Sequence, residues 1–149
     1  MDLDELSIRE RVRDTYATYS HAGDRFRLEE LAGCFAADGV LEVAGSRMAT
    51  GPAAIAEMLG GGAGERRPAA GQPPLVRHVV TNLLFESITA ERVASSAYFC
   101  VLTRSGEHLG VDHWGRYRDV LVPERDRWVF AHRLVNIDVA VPGGWYAGV

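Results

Sequence analysis

His78 is the residue around which chemistry is most readily built. It lies in Val76-Arg77-His78-Val79-Val80-Thr81-Asn82, which opens an apolar, β-branched run continuing through Leu83, Leu84 and Phe85. Strand alternation puts Val76, His78, Val80 and Asn82 on one face and Arg77, Val79 and Thr81 on the other. An imidazole between two valines is expected to be largely buried and then needs a partner for at least one ring nitrogen. Such a ring is either a satisfied core histidine or a group held ready for proton transfer. Tyr19 poses a similar question: its ring belongs to an apolar stripe, but its hydroxyl needs a partner and could line a cavity. Asp24 stands where a second helix is expected to start, and its bland reading is an N-cap. His78, His108, His113 and His132 show no metal-ligand spacing with Cys or acids, so neither a metal nor another cofactor is expected.

Elements that position these residues can be read in order. Ser7-Ile8-Arg9-Glu10 fits a capping box, and Ile8, Val12, Tyr16 and Tyr19 then recur on one helical face. This helix is expected to run from Ser7 to a glycine cap at Ala22-Gly23. A second helix is expected over 25–36, with Leu28, Leu31, Ala32 and Phe35 inward. Gly39 to Ala44 reads as a short strand and Arg47-Met48-Ala49 as its hairpin partner. Thr50-Gly51-Pro52 opens a third helix over 53–59, with proline in its first turn. Residues 60–74, rich in Gly, Pro and Ala, read as a flexible loop.

Downstream the pattern is entirely β. Strands are predicted over 75–88, 92–103, 107–122 and 127–138, joined by short turns into an antiparallel meander. Helices followed by a long meander give an α+β architecture, three N-terminal helices packed on a curved antiparallel sheet. If the sheet curls around the helices, a pocket opens between them, and His78, Tyr19 and Asp24 could face it.

Composition narrows the class. The chain has 149 residues, 47% of them apolar, which suits one domain with one core. A formal net charge of −4 with scattered basic residues argues against a nucleic-acid surface. No apolar run reaches a membrane span, and the acidic start Met1-Asp2-Leu3-Asp4-Glu5 is unlike a signal peptide, so a soluble cytoplasmic protein is expected. Cys34 and Cys100 read as reduced core residues.

The pattern as a whole resembles the SnoaL-like branch of the nuclear-transport-factor-2-like superfamily, a cone-shaped α+β fold. The carrying residues are Tyr19 to Asp24, Leu31 to Gly39, Gly51-Pro52, Arg77 to Asn82, Gly115 to Asp119 and Trp128-Val129-Phe130. They span nearly the whole chain, implying one SnoaL-like domain over 1–149. Within the superfamily the chain looks similar to a group holding scytalone dehydratase, hexachlorocyclohexane dehydrochlorinase and bile-acid 7α-dehydratase. That resemblance implies an Asp–His pair, here Asp24 and His78, with the carboxylate fixing the tautomer and the other ring nitrogen acting as base. It further implies substrate contacts at Tyr19, His113 and Arg133; by alternation Arg133 should point into the cone, where it could bind an oxyanion or instead make an ion pair. An apolar Val43 argues against the ketosteroid-isomerase mechanism, and no epoxide-hydrolase-type Asp-Arg-Asp set is evident.

The implied function is a cofactor-independent lyase, dehydratase-like, acting on a small apolar or cyclic molecule. An isomerase or cyclase of secondary metabolism using the same dyad is the first alternative; a non-catalytic ligand-binding module is the second. A homo-oligomer, trimer or dimer, is expected, because the open sheet face carries Val79, Leu83 and Phe85. The tail holds Trp145 and Tyr146, which are expected either to close over the mouth of the cone or to remain free of it.

Overall fold

The computed structural model describes residues 1–60, 75–105 and 108–146. Of the loop expected over 60–74 all but Gly60, which ends a helix, lies outside the described residues, as do Gly106 of the turn expected at Ser105-Gly106, residue 107 and the last three residues. Helix α1 (Leu3–Asp24) is followed by α2 (Leu28–Ala32), β1 (Phe35–Val43), β2 (Arg47–Thr50), α3 (Pro52–Gly60), β3 (Val76–Ile88), β4 (Val93–Ser105), β5 (His108–Glu124) and β6 (Arg127–Ala140). The strands form one curved, unclosed sheet of order β2-β1-β6-β5-β4-β3. The helices cover one face: α1 packs on β3 and β6, and α3 on β1 and β2.

Helix α1 starts a turn earlier than the capping box predicts. Asp2 is the N-cap, its carboxylate accepting from the Glu5 N–H at 2.8 Å. The stripe itself holds: Val12, Tyr16 and Tyr19 are buried, with Ile8 packed against the same cluster. Helix α2 is much shorter than predicted. Phe26 adopts φ +54°, which no helix continues through, so α2 begins only at Leu28. At its far end the chain leaves early, because Phe35 already pairs with Phe130 in the sheet. Asp24 therefore caps nothing on α2. It closes α1, where the helix dipole disfavours a negative charge.

The β-meander forms as predicted, β3 to β6 all antiparallel, but β1 joins β6 in parallel, so the sheet is mixed. Two of the bulges bear on the residues singled out from the sequence. In β3, Thr81 pairs with Tyr98 and Leu84 with Ser96, so the segment gains a residue at Asn82, which takes φ +54° and is exposed. Up to Val80 the even positions face in; beyond the bulge Leu83 and Phe85 do, and they pack on the core. Leu83 and Phe85 thus do not join Val79 on the open face; Leu84 is exposed instead. In β5, Val101 pairs with His113 and Leu102 with Val111, leaving Asp112 as the extra residue. Both Asp112 and His113 are consequently buried, although neighbours on a regular strand face opposite ways.

The open face still carries apolar side chains. Val79, Cys100, Trp114 and Val139 align as one cross-strand row over β3, β4, β5 and β6. Val79, Trp114 and Val139 are exposed. No helix among the described residues is long and apolar enough to cross a membrane.

Candidate active site

Between helices and sheet lies a cavity of about 140 Å³. Its wall is mostly apolar, with Leu31, Leu41, Phe99 and Ile137 among its residues, and its polar contributors include Tyr19, His78, His113, Tyr117 and Tyr146. An apolar wall with a few convergent polar groups is the usual composition of a small-molecule site.

At one side, β3 presents His78 to the end of α1. Its Nδ1 lies 2.7 Å from Asp24 Oδ1, and the His78 backbone N–H donates to the same oxygen at 2.9 Å. A carboxylate only accepts, so Nδ1 carries a proton, and in the neutral ring the lone pair is then on Nε2. The backbone bond fixes the carboxylate relative to the strand, and the ring bond fixes the imidazole relative to the carboxylate. The side chains are 17% and 12% exposed, so the pair is neither sealed in the core nor loose in solvent.

His113 stands on the cavity wall from β5. Its Nδ1 is 2.7 Å from Asp112 Oδ2. Burial lowers the proton affinity of the ring below the ordinary histidine value, and the Asp112 carboxylate opposes this only in part. The tail then folds back over it. The backbone N–H groups of Trp145 and Tyr146 both donate to Asp112, the second at 3.0 Å, while the two aromatic rings pack against the imidazole. Gly144 is required at this crossing, since a Cβ there would lie 2.6 Å from Asp112 Oδ1.

Tyr19 lies on the cavity wall with its ring in the core, and burial raises its hydroxyl pKa, so it can only donate or accept as a neutral phenol. Arg133 is a correction. Alternation does point it inward, but it is fully buried and held in a bidentate pair with Asp119, at 3.0 and 2.7 Å, beneath the rings of Tyr16, Tyr19, Tyr117 and Phe130. It belongs to the core and not to the cavity wall. Arg47 on β2 does reach the wall. Asp112 escapes sequence reasoning because alternation places it opposite His113; the available signal is an Asp-His dipeptide inside a strand-forming run. Among the described residues, no group of three or more His, Cys, Asp or Glu gathers as metal ligands would.

Three helices pack on an open curved sheet, and the cavity between them carries a histidine on its wall. The chain belongs to the family of SnoaL-like domains, whose model matches residues 4–134. Among solved structures, a Catenulispora acidiphila protein determined in complex with S-DNPA is 32% identical, the match covering 89% of this chain and 95% of that one with a TM-score of 0.77. A Mycobacterium tuberculosis protein of unknown function is 25% identical over 97% of this chain and 80% of the other, with a TM-score of 0.79. An NTF2-like protein with a cystatin-like fold from Novosphingobium aromaticivorans is similar at the level of fold, at 20% identity, 97% and 91% coverage and a TM-score of 0.80. No curated protein matches the sequence.

Proposed function

We propose that the chain is a single-domain, cofactor-independent lyase that eliminates a small leaving group from an apolar or cyclic molecule. The observation that carries this reading is His78: its Nδ1–H is held on Asp24 at 2.7 Å, and the ring stands on the wall of an apolar cavity. In the proposed step Nε2 removes a proton next to an activating group. Asp24 holds the tautomer and stabilises the imidazolium that forms, a contribution of roughly 10²–10⁴-fold for general-base catalysis. Tyr19, a neutral phenol on the wall, donates to the departing hydroxide or other leaving group. Apolar walls and the folded-back tail keep competing water away. A cavity near 140 Å³ suits a molecule of about one ring, since an apolar cavity of about 150 Å³ holds benzene.

Support also comes from the family, which includes dehydratases and polyketide cyclases, and from the relative crystallised with a small molecule. The test is turnover of a panel of cyclic β-hydroxy ketones with product identification. Release of water and an enone would establish elimination; a rearranged product of unchanged mass would move the assignment to isomerisation.

Two expectations accompany this reading. Deletion of residues 140–149 is expected to raise KM or lower turnover several-fold while shifting the melting temperature by only a few degrees, because Trp145 and Tyr146 line the cavity and lie beyond the last strand. Steady-state kinetics beside a thermal melt decides it, and wild-type kinetics in the truncated protein would refute a lid. The apolar row Val79–Cys100–Trp114–Val139 is expected to be covered by further copies of the chain. Light scattering should then give a dimer or trimer mass at micromolar concentration, and Trp114→Glu should lower it; a monomer mass for the wild type would refute the assembly.

A further inference from the structure

We propose that Asp112 and His113 form a second hydrogen-accepting dyad in the cavity, built to take a hydroxyl group of the ligand such as that of a phenol or an enol. This rests on the reading of the cavity as the ligand site and names the chemistry of what enters it.

The pair repeats the arrangement at Asp24–His78 with independent parts. The β5 bulge turns two successive side chains inward, which a regular strand cannot do. Nδ1 of His113 is committed to Asp112 at 2.7 Å, so its proton points at the carboxylate and the lone pair sits on Nε2. Asp112 is itself saturated, accepting from the N–H groups of Trp145 and Tyr146 as well. Phe99 meets the imidazole edge-on and Trp145 stacks on it, so the ring plane is fixed. Among the described residues Nε2 has no protein partner, while the residue is only 5% exposed and on the cavity wall. A lone pair on the wall of a mostly apolar cavity, with no protein donor, is open to a donor on the ligand. Burial keeps the ring neutral to lower pH than an ordinary histidine, so the lone pair persists at neutral pH.

The wall therefore offers two imidazole lone pairs, one on each dyad. An acceptor lone pair attracts a donor and repels an anion or a carbonyl oxygen. The group that reaches His113 must carry a donor, and a hydroxyl beside a ring fits a mostly apolar wall.

Phenol and anisole are suitable probes, since they share a ring and differ in the donor. With the full chain carrying ¹⁵N-histidine, phenol is expected to shift the His113 Nε2 resonance and anisole to leave it in place. Calorimetry should give phenol a roughly three- to tenfold affinity advantage, the worth of one net hydrogen bond. His113→Phe should reduce the advantage, and the resonance that shifts in the wild type shows which ring takes the hydroxyl, since His78 lies on the same wall. Absence of phenol binding, equal affinities for the two probes, an unshifted His113 resonance, or an advantage undiminished in His113→Phe would overturn the proposal. The resonance shift in the wild type decides the matter even if His113→Phe fails to fold. An advantage lost in His78→Ala and kept in His113→Phe would refute this dyad while leaving the lyase reading of His78 intact; failure of that reading shows separately, as turnover that survives His78→Ala.

Discussion

Asp24→Asn is expected to reduce turnover by about 10²–10⁴-fold while leaving the fold intact. The carboxylate makes two bonds, one from the His78 backbone N–H and one from the ring. Both bonds end on Oδ1, so an amide oxygen in that place can keep them and the tautomer with them. What the amide lacks is the negative charge. It cannot balance the imidazolium that forms when Nε2 removes a proton, and the base is weakened where the reaction needs it. His78→Ala should be equally inactive and equally folded. Circular dichroism and a melt would check the fold, and product formation the chemistry. Full activity in either variant would leave a binding module as the better description.

The largest loss of stability is expected at Asp119, far from any reaction. Its carboxylate pairs with Arg133 through both oxygens and accepts from Tyr16, whose hydroxyl also meets Ser95 at 3.1 Å. Arg133 and Asp119 side chains are wholly buried. Burial opposes the guanidinium charge, but Asp119 outweighs it, and four aromatic rings lie within 3.9 to 4.7 Å of its central carbon. Asp119→Asn leaves that charge uncompensated, at a cost of about 3–5 kcal/mol. For a domain of this size the melting temperature should fall by roughly 10 °C. The double variant Asp119→Leu with Arg133→Met should recover much of the loss, since it removes both charges together. A fall of only a degree or two in Asp119→Asn would show that the pair is not holding the core.

The sequence makes the meander and the helix α1 stripe legible, because both depend on local periodicity. Val12, Tyr16 and Tyr19 recur along one face, and β3 to β6 alternate over long stretches. What stays hidden depends on single residues that break the period. Asn82 and Asp112 each add one residue to a strand; both are poor strand formers, but that preference alone does not say where a bulge falls. The first sends Leu83 and Phe85 inward, and the second brings Asp112 to His113. Pairing of β1 with β6 is equally invisible, because it joins distant segments. Asp24 is visible only through family resemblance; locally it looks like a cap, and its position against the α1 dipole makes sense only once His78 is beside it.

The parallel union of β1 with β6 also sets an order of events. Leu41 lies opposite Arg133, and the hairpin of β1 and β2 reaches the rest of the sheet only through β6. During synthesis that hairpin leaves the ribosome long before the strand it needs. Until then Leu41 and Val43, buried in the finished protein, can be covered only by the helices and not by the sheet that completes their burial. Pairings this remote in sequence also slow folding, because the loop must close before the contact rewards it. The cone is thus completed last, by the strand made last, and until then its inner surface is what a chaperone would find.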